Sequence, residues 1–185
     1  MKLAYLPNLI SCVRLLLIIP LWFAIIHHEY AAAFFLFVIA GVSDGLDGFL
    51  ARRYGWTSYF GGIVDPIADK LLMMVTYILM VLQNYIPIWL VLAVISRDVI
   101  IMAGVVACYY WFTNFQFKAS LISKVNTVLQ IVLIIMVLIN LGLFNLPAEL
   151  LEKMMYLVLA TTVISFLDYF WIWSRRALAL WRRPA

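Results

Sequence analysis

The chain has 185 residues, of which 67% are hydrophobic and only 12% are charged, and its mean hydropathy is +1.06. This composition excludes an ordinary soluble domain and predicts an integral membrane protein with several membrane-spanning helices. The net charge is +4 and the aromatic content is 16%. We expect the aromatic rings to form lipid-facing packing and interfacial belts rather than a base-stacking surface, so nucleic acid is not an expected partner.

Six apolar segments approach the length of about 20 residues that a helix needs to cross the hydrocarbon core. They predict an all-α protein with six transmembrane helices, over residues 8–27, 31–53, 63–83, 87–111, 119–141 and 150–173. No small-residue cleavage pattern follows the first segment, so we expect it to be a retained helix rather than a signal peptide. Residues 1–185 are predicted to form one membrane domain without a separate extramembrane domain.

The basic residues indicate how the predicted helices are oriented. In this six-helix arrangement the loops on one side carry only Lys153, and the other side carries Lys2, Arg52, Arg53, Lys118, Arg175, Arg176, Arg182 and Arg183. By the positive-inside rule, both termini and the basic side are cytoplasmic. The predicted location is the inner or plasma membrane of a bacterium.

Four aspartates lie in the cytoplasmic half of this predicted bundle. Asp44 and Asp47 fall in the second helix, and Asp65 and Asp69 begin the third. A carboxylate at such a depth costs several kcal/mol unless it is paired, hydrated or bound to a metal, so intramembrane acids are candidate functional residues. We therefore interpret this group as the centre of an active site that faces the cytoplasm.

The helical repeat predicts which residues accompany the acids of the second helix. At about 100° per residue, Asp44 and Asp47 share an arc of roughly 140° with Gly48, Ala51 and Arg52. The two small residues leave space for a phosphate or nucleotide between the acids and the arginine. Small residues in membrane helices also serve helix packing, and this alternative stays open for each of them.

In the third helix, Gly61, Asp65 and Asp69 are spaced by four residues and share one face. Two pairs of carboxylates on adjacent helices suit two hard divalent cations, Mg²⁺ or Mn²⁺, which can clamp a phosphoryl group. The alternative is structural pairing of the acids with intramembrane basic residues. A cation or proton transporter needs polar groups toward both membrane faces, whereas these lie toward one. A transporter and a non-catalytic scaffold remain the other candidate classes.

The segments DGLDGFLAR at 44–52 and GGIVDPIAD at 61–69 are separated by eight residues. Together they resemble the DxxDGxxAR…GxxxDxxxD signature of the CDP-alcohol phosphatidyltransferases, and the six-helix layout extends the resemblance over nearly the whole chain. The resemblance implies attack by an alcohol on the lipid-linked phosphorus of CDP-diacylglycerol, with release of CMP. It also implies a homodimer.

The resemblance further implies a role for each residue of the two segments. Asp44, Asp47, Asp65 and Asp69 would contact two metal ions, and Asp69 would also be the general base for the acceptor hydroxyl. The CDP group would be bound by the residues that follow or flank these acids, with Arg52 compensating phosphate charge. The full set is Asp44, Asp47, Gly48, Ala51, Arg52, Gly61 and Asp65.

Candidate acceptor-binding residues lie on the fifth helix. Its polar side chains fall within about 120° and form a stripe that we expect to face the acids, comprising Ser120, Ser123, Lys124, Thr127 and Gln130. Lys124 is a candidate phosphate contact, with Thr127 beside it. The alternative for Lys124 is snorkelling to the cytoplasmic headgroups.

Two arginines in other helices are further candidates. Arg97 lies near the middle of the fourth helix, where it cannot readily snorkel, so we expect it to pair with Asp98, a metal-site acid or a substrate phosphate. Arg14 in the first helix is expected either to reach a lipid phosphate or to anchor the helix at the headgroups. Asp168 in the sixth helix has no obvious partner.

The segments ISRDV at 95–99 and ISKVNT at 122–127 resemble the cardiolipin synthase branch of the family, whose acceptor is phosphatidylglycerol. Bacterial phosphatidylglycerophosphate synthases, which use glycerol 3-phosphate, more often have Arg-Glu and Lys-Val-Lys-Thr at these places, so Asp98 and Asn126 depart from that pattern. One fewer cation fits a phosphodiester of charge −1 better than a monoester near −2. The favoured product is cardiolipin, and glycerol 3-phosphate remains the alternative acceptor.

Overall fold

The computed structural model describes the backbone of residues 6–54, 61–111 and 120–181, and the side chains of 13–43, 45, 70–104 and 120–171. Over these ranges it contains helices and no strand, which confirms the predicted all-α class. The helices are α1 (Leu6–Ile26), α2 (Tyr30–Tyr54), α3 (Gly61–Leu82), α4 (Ile88–Trp111), α5 (Leu121–Gly142) and α6 (Ala148–Trp181).

The largest difference from the predicted boundaries is the end of α6. The sequence predicts an end at residue 173, but the helix continues to Trp181. The predicted end is the residue at which the apolar segment is long enough to cross the hydrocarbon core. The residues after it are mostly Arg, Ala and Leu, which have high helix propensity whether they are charged or apolar. Helix length and membrane-spanning length are therefore different quantities here.

Two described helical stretches are long and apolar enough to cross a bilayer, Leu121–Gly142 and Ala148–Trp171. Shorter apolar stretches occur at Val13–Ile26, Tyr30–Ser43 and Lys70–Leu82. By length and composition, the first two stretches are candidate membrane-spanning helices. Six complete crossings and one domain over 1–185 stay predictions.

One compact unit comprises the described residues of Met1–Ile86 and of Ile134–Pro147. Within it α1 packs against both α2 and α3. On α2 the buried residues Ala33, Phe37 and Ala40 lie on one face of the helix. Small residues at two of these three positions allow the helix backbones to approach closely.

At one end of this unit, the start of α2 is held by an aromatic hydrogen-bond chain. The hydroxyl of Tyr30 lies 2.5 Å from His28 Nδ1 and 2.8 Å from the hydroxyl of Tyr85. The last residue of α5, Gly142, lies against the backbone of Tyr30 and Ala31, where a built Cβ would be 2.5 Å from Ala31 N. The end of α5 can therefore pack this closely against the start of α2 only because residue 142 is a glycine.

The other compact unit comprises the described residues of Pro87–Leu133 and of Ala148–Ala185, which include α4, the first half of α5, and α6. Here α4 packs against α6. The buried face of α6 carries Val158, Thr162, Ser165 and Tyr169, spaced by four, three and four residues. Three of these four side chains have polar groups, so this unit has a partly polar interior.

Candidate functional site

The four candidate metal-binding acids all lie within helices, Asp44 and Asp47 in α2 and Asp65 and Asp69 in α3. Spacings of three and four residues therefore place each pair on one face of its helix. The structure describes the backbone of every residue proposed to bind metal or CDP, but not its side chain. These residues are Asp44, Asp47, Gly48, Ala51, Arg52, Gly61, Asp65 and Asp69. Their roles stay predictions.

Among the side chains that the structure describes, no three or more His, Cys, Asp or Glu form a group that could hold a metal ion. The four aspartates are outside that set. The suitability of the acids for a metal therefore rests on their chemistry and helical spacing. Carboxylate oxygens are the ligands that Mg²⁺ and Mn²⁺ prefer.

Gly45 stands between the two acids of α2 but on a different side of the helix, about 100° from Asp44. A Cβ built on Gly45 meets no atom within 4 Å among the described residues. Gly45 is therefore not required for packing in the described structure. It differs in this respect from Gly142.

Arg14 is buried in the first unit, with 1% of its surface exposed. It shares a face of α1 with Leu21 and Ile25, which are also buried, and α1 packs on the two helices that carry the acids. A headgroup anchor needs an exposed guanidinium, so the burial of Arg14 argues against the anchoring role.

The lengths of the helices place Arg14 and Asp44 at similar levels. Arg14 lies 12 residues before the end of α1 at Ile26, and Asp44 lies 14 residues after the start of α2 at Tyr30. At 1.5 Å per residue these separations are about 18 Å and about 21 Å from the α1–α2 turn. The turn reverses the chain, so a buried cation lies at the level of the first acid.

Arg97 is the centre of a polar network in the second unit, where it is 3% exposed. Its Nη1 donates to Asp98 Oδ1 at 2.6 Å, which confirms the expected pairing with Asp98. Its Nη2 donates to the hydroxyl of Ser123 on α5 and, at 2.5 Å, to that of Ser165 on α6. The ring of Tyr169 lies 5.9 Å from the guanidinium carbon. A buried charge is stable only with such partners.

The donors of Arg97 are only partly used by these partners. A guanidinium has five N–H groups, and three of them donate to Asp98, Ser123 and Ser165. Among the described residues, the buried Nε has no hydrogen-bond partner. Arg97 therefore retains donors for an acceptor oxygen.

The polar stripe of α5 is divided between buried and exposed positions. Ser123 and Gln130 are buried, Ser120 and Thr127 are half-buried, and Lys124 is exposed. Thr127 donates to the carbonyl of Ser123 at 3.1 Å, within its own helix. Lys124 lies at the edge of the stripe, about 100° from Ser123, which explains its exposure.

Asn126 is a buried residue that the sequence-based stripe omits. It is 0% exposed, and its Oδ1 accepts from the hydroxyls of Thr161 at 2.8 Å and Thr162 at 3.0 Å on α6. Asn126 follows Ser123 by three residues and precedes Gln130 by four, and this helical spacing could have placed it in the predicted polar stripe. Because Asn126 bonds to α6, its lack of charge is weaker evidence about the acceptor than its place in the motif suggests.

Comparison with known proteins identifies the relatives of the chain. A sequence model described as CDP-alcohol phosphatidyltransferase matches residues 4–167. The chain is 35% identical to the cardiolipin synthase (CMP-forming) of Rattus norvegicus over 144 residues, which cover 69% of this chain and 48% of the rat protein. It is 33% identical to the chloroplastic CDP-diacylglycerol–glycerol-3-phosphate 3-phosphatidyltransferase 1 of Oryza sativa, over 89% of this chain and 55% of the rice protein.

A bacterial relative is matched over more of its length. The CDP-diacylglycerol–glycerol-3-phosphate 3-phosphatidyltransferase of Bacillus subtilis is 30% identical, over 76% of this chain and 72% of that protein. The chain spans about half the length of the rat and rice relatives. The names of the three relatives include both a cardiolipin synthase and glycerol-3-phosphate phosphatidyltransferases, at identities that differ by only a few per cent.

Proposed function

Because the chain belongs to the CDP-alcohol phosphatidyltransferase family, we propose that it transfers a phosphatidyl group from CDP-diacylglycerol to an alcohol. A bond forms between the acceptor oxygen and the lipid-linked phosphorus, and the bond from that phosphorus to the oxygen of CMP breaks. The observation that carries this proposal is the family match over 4–167, which includes every position of the two acidic segments.

In this proposal Asp44, Asp47, Asp65 and Asp69 hold two divalent cations, Mg²⁺ or Mn²⁺. The metal ions, when bound, neutralise phosphate charge and orient the reacting oxygens. Asp69 takes the proton of the acceptor hydroxyl, a step that typically contributes about 10²–10⁴-fold to the rate. The carboxylate chemistry and the helical spacing support these assignments.

The CDP group lies along α2 and the start of α3 in this proposal. Gly48, Ala51 and Gly61 leave space for the nucleotide, and Arg52 binds a phosphate through its planar guanidinium. The helical arc on α2 supports this placement, since all of its members lie within one continuous helix.

The proposed acceptor site uses Arg97, Lys124, Thr127 and Arg14. The uncommitted donors of Arg97 and the exposed ammonium of Lys124 are suited to a phosphate oxygen. We favour phosphatidylglycerol as the acceptor, giving cardiolipin, because Asp98 pairs with Arg97 and so reduces the local positive charge. Glycerol 3-phosphate is the alternative that the names of the rice and Bacillus relatives support.

We also propose six membrane crossings in a bacterial inner membrane, with both termini and the acids on the cytoplasmic side, and a homodimer. The one-sided distribution of basic residues supports this orientation. A cysteine at position 153 is expected to react with an impermeant maleimide added outside intact cells. A cysteine placed at 185 should react only after permeabilisation. Light scattering of the detergent complex tests the dimer through its protein mass.

The experiment that tests the reaction gives purified protein CDP-diacylglycerol with Mg²⁺ or Mn²⁺, and offers phosphatidylglycerol or glycerol 3-phosphate separately. The measurements are CMP release and the mass of the lipid product. We expect CMP only when an acceptor and a divalent cation are both present, and more of it with phosphatidylglycerol. A chelator should abolish release, and readdition of the cation should restore it.

Matched variants of α2 test the CDP pocket. Gly48→Ala fills the proposed nucleotide space and should raise KM for CDP-diacylglycerol. Gly45→Ala adds the same methyl group where it meets no described atom and should leave that KM unchanged. Ion flux in sealed vesicles without any CMP would support the transporter alternative and refute the transferase. Full activity of Gly48→Ala would remove Gly48 from the pocket.

A further inference from the structure

The helix α6 contains none of the residues assigned above to the reaction, yet it contacts the proposed acceptor-binding arginine directly. Ser165 accepts a hydrogen bond from Arg97 Nη2 at 2.5 Å, and both side chains are almost fully buried. Tyr169, four residues further along α6, places its ring near the same guanidinium. Arg97 is therefore held from α6 as well as from its neighbours on α4 and α5.

These contacts determine which N–H groups of the guanidinium stay available. Ser123 and Ser165 accept both N–H groups of Nη2, so that nitrogen has no donor left. Asp98 takes one N–H of Nη1. The Nε N–H and the second N–H of Nη1 remain, but they do not share an edge of the guanidinium, because Cδ lies between them. The buried Nε, which has no hydrogen-bond partner among the described residues, is therefore a single donor for an acceptor oxygen.

We propose that Ser165 is a positioning residue for acceptor binding, which together with Ser123 fixes the guanidinium of Arg97 so that its unpartnered Nε N–H is available to the acceptor phosphate. This inference rests on the proposed function, because it assigns Ser165 to the acceptor site of that reaction. The buried serine acts through Arg97 and does not contact the acceptor itself. Loss of its hydroxyl leaves the charge in place and frees Nη2 to rotate away from this orientation.

The test compares serine-to-alanine variants in purified full-length protein. Ser165→Ala is expected to raise KM for the acceptor on the order of tenfold, the value of one hydrogen bond to a charged group, with KM for CDP-diacylglycerol unchanged. Ser165→Thr keeps the hydroxyl and should restore acceptor KM to near the wild-type value. Ser123→Ala should act in the same direction, and the double variant should show less than the product of the two effects, since both serines hold one nitrogen.

Ser96→Ala is the matched control. It removes the same atom from the residue beside Arg97, but the hydroxyl of Ser96 donates to the carbonyl of Ala93 in its own helix at 3.2 Å. Both KM values of Ser96→Ala should equal those of the wild type. Thermal unfolding of each variant in detergent separates a lower stability from a changed acceptor KM.

The outcomes distinguish this inference from the proposed function. A wild-type protein that releases no CMP with either acceptor overturns both. Wild-type activity with an unchanged acceptor KM in Ser165→Ala overturns the positioning role alone. The same conclusion follows if both substrate KM values rise together, or if Ser165→Thr behaves like Ser165→Ala, because a purely structural serine gives those results.

Discussion

The contact between the end of α5 and the start of α2 makes a sharp prediction about Gly142. A Cβ at this position would lie 2.5 Å from Ala31 N, 2.7 Å from Tyr30 C and 3.0 Å from Ala31 Cα. All three are backbone atoms, which cannot rotate away as a side chain can. Overpacking of this kind costs about 1–3 kcal/mol, and the higher helix propensity of alanine offsets about 1 kcal/mol of that cost. Gly142→Ala should therefore destabilise the protein by up to about 2 kcal/mol.

Gly41→Ala is the control, because a Cβ at Gly41 meets no atom within 4 Å among the described residues. It should leave stability unchanged or raise it by up to about 1 kcal/mol. Thermal unfolding in one detergent, followed by far-ultraviolet circular dichroism, should rank the proteins Gly41→Ala, wild type, Gly142→Ala from most to least stable. Equal unfolding temperatures for the two variants would show that α5 does not approach α2 as closely as the structure indicates.

Three further predictions test the interior of the second unit and the proposed site. Asn126→Ala should lower the free energy of unfolding by about 1–3 kcal/mol, because the buried hydroxyl of Thr162 loses its acceptor, whereas the hydroxyl of Thr161 can still donate to the carbonyl of Leu157; a denaturant or thermal titration that matches the wild type would contradict this. Lys124→Ala should raise acceptor KM on the order of tenfold, whereas Lys153→Ala, which removes an exposed lysine near the start of α6, should not change it. Asp69→Asn should reduce CMP release by at least about 100-fold, and Asp168→Asn should retain it; equal rates for these two variants would exclude Asp69 as the base.

Much of the architecture could be predicted because it depends on local properties. An apolar run of membrane-spanning length, ended by prolines, glycines or polar clusters, indicates a helix before any tertiary contact is known. The pairing of Arg97 with Asp98 could also be anticipated from the sequence, since the two residues are neighbours in the chain and a buried charge needs a partner. The acidic segments could be recognised for a related reason, because their spacing is set by the helical repeat.

The interior of the second unit was less predictable. Ser165 lies 68 residues from Arg97 in the sequence, and a serine in an apolar helix has no local feature that names its partner. The burial of Asn126 was not predicted for the same reason, since its threonine partners lie 35 and 36 residues away.

Sequence alone thus determined the helical class, the approximate helix boundaries and the family, because these depend on composition, periodicity and residue spacing along one chain. Tertiary structure decided that Arg14 and Arg97 are buried, that α6 binds the guanidinium through Ser165, and that α5 ends in contact with α2. Each of these depends on how segments distant in sequence pack together. Packing selects one partner among many chemically equivalent side chains, and only their positions in space distinguish them.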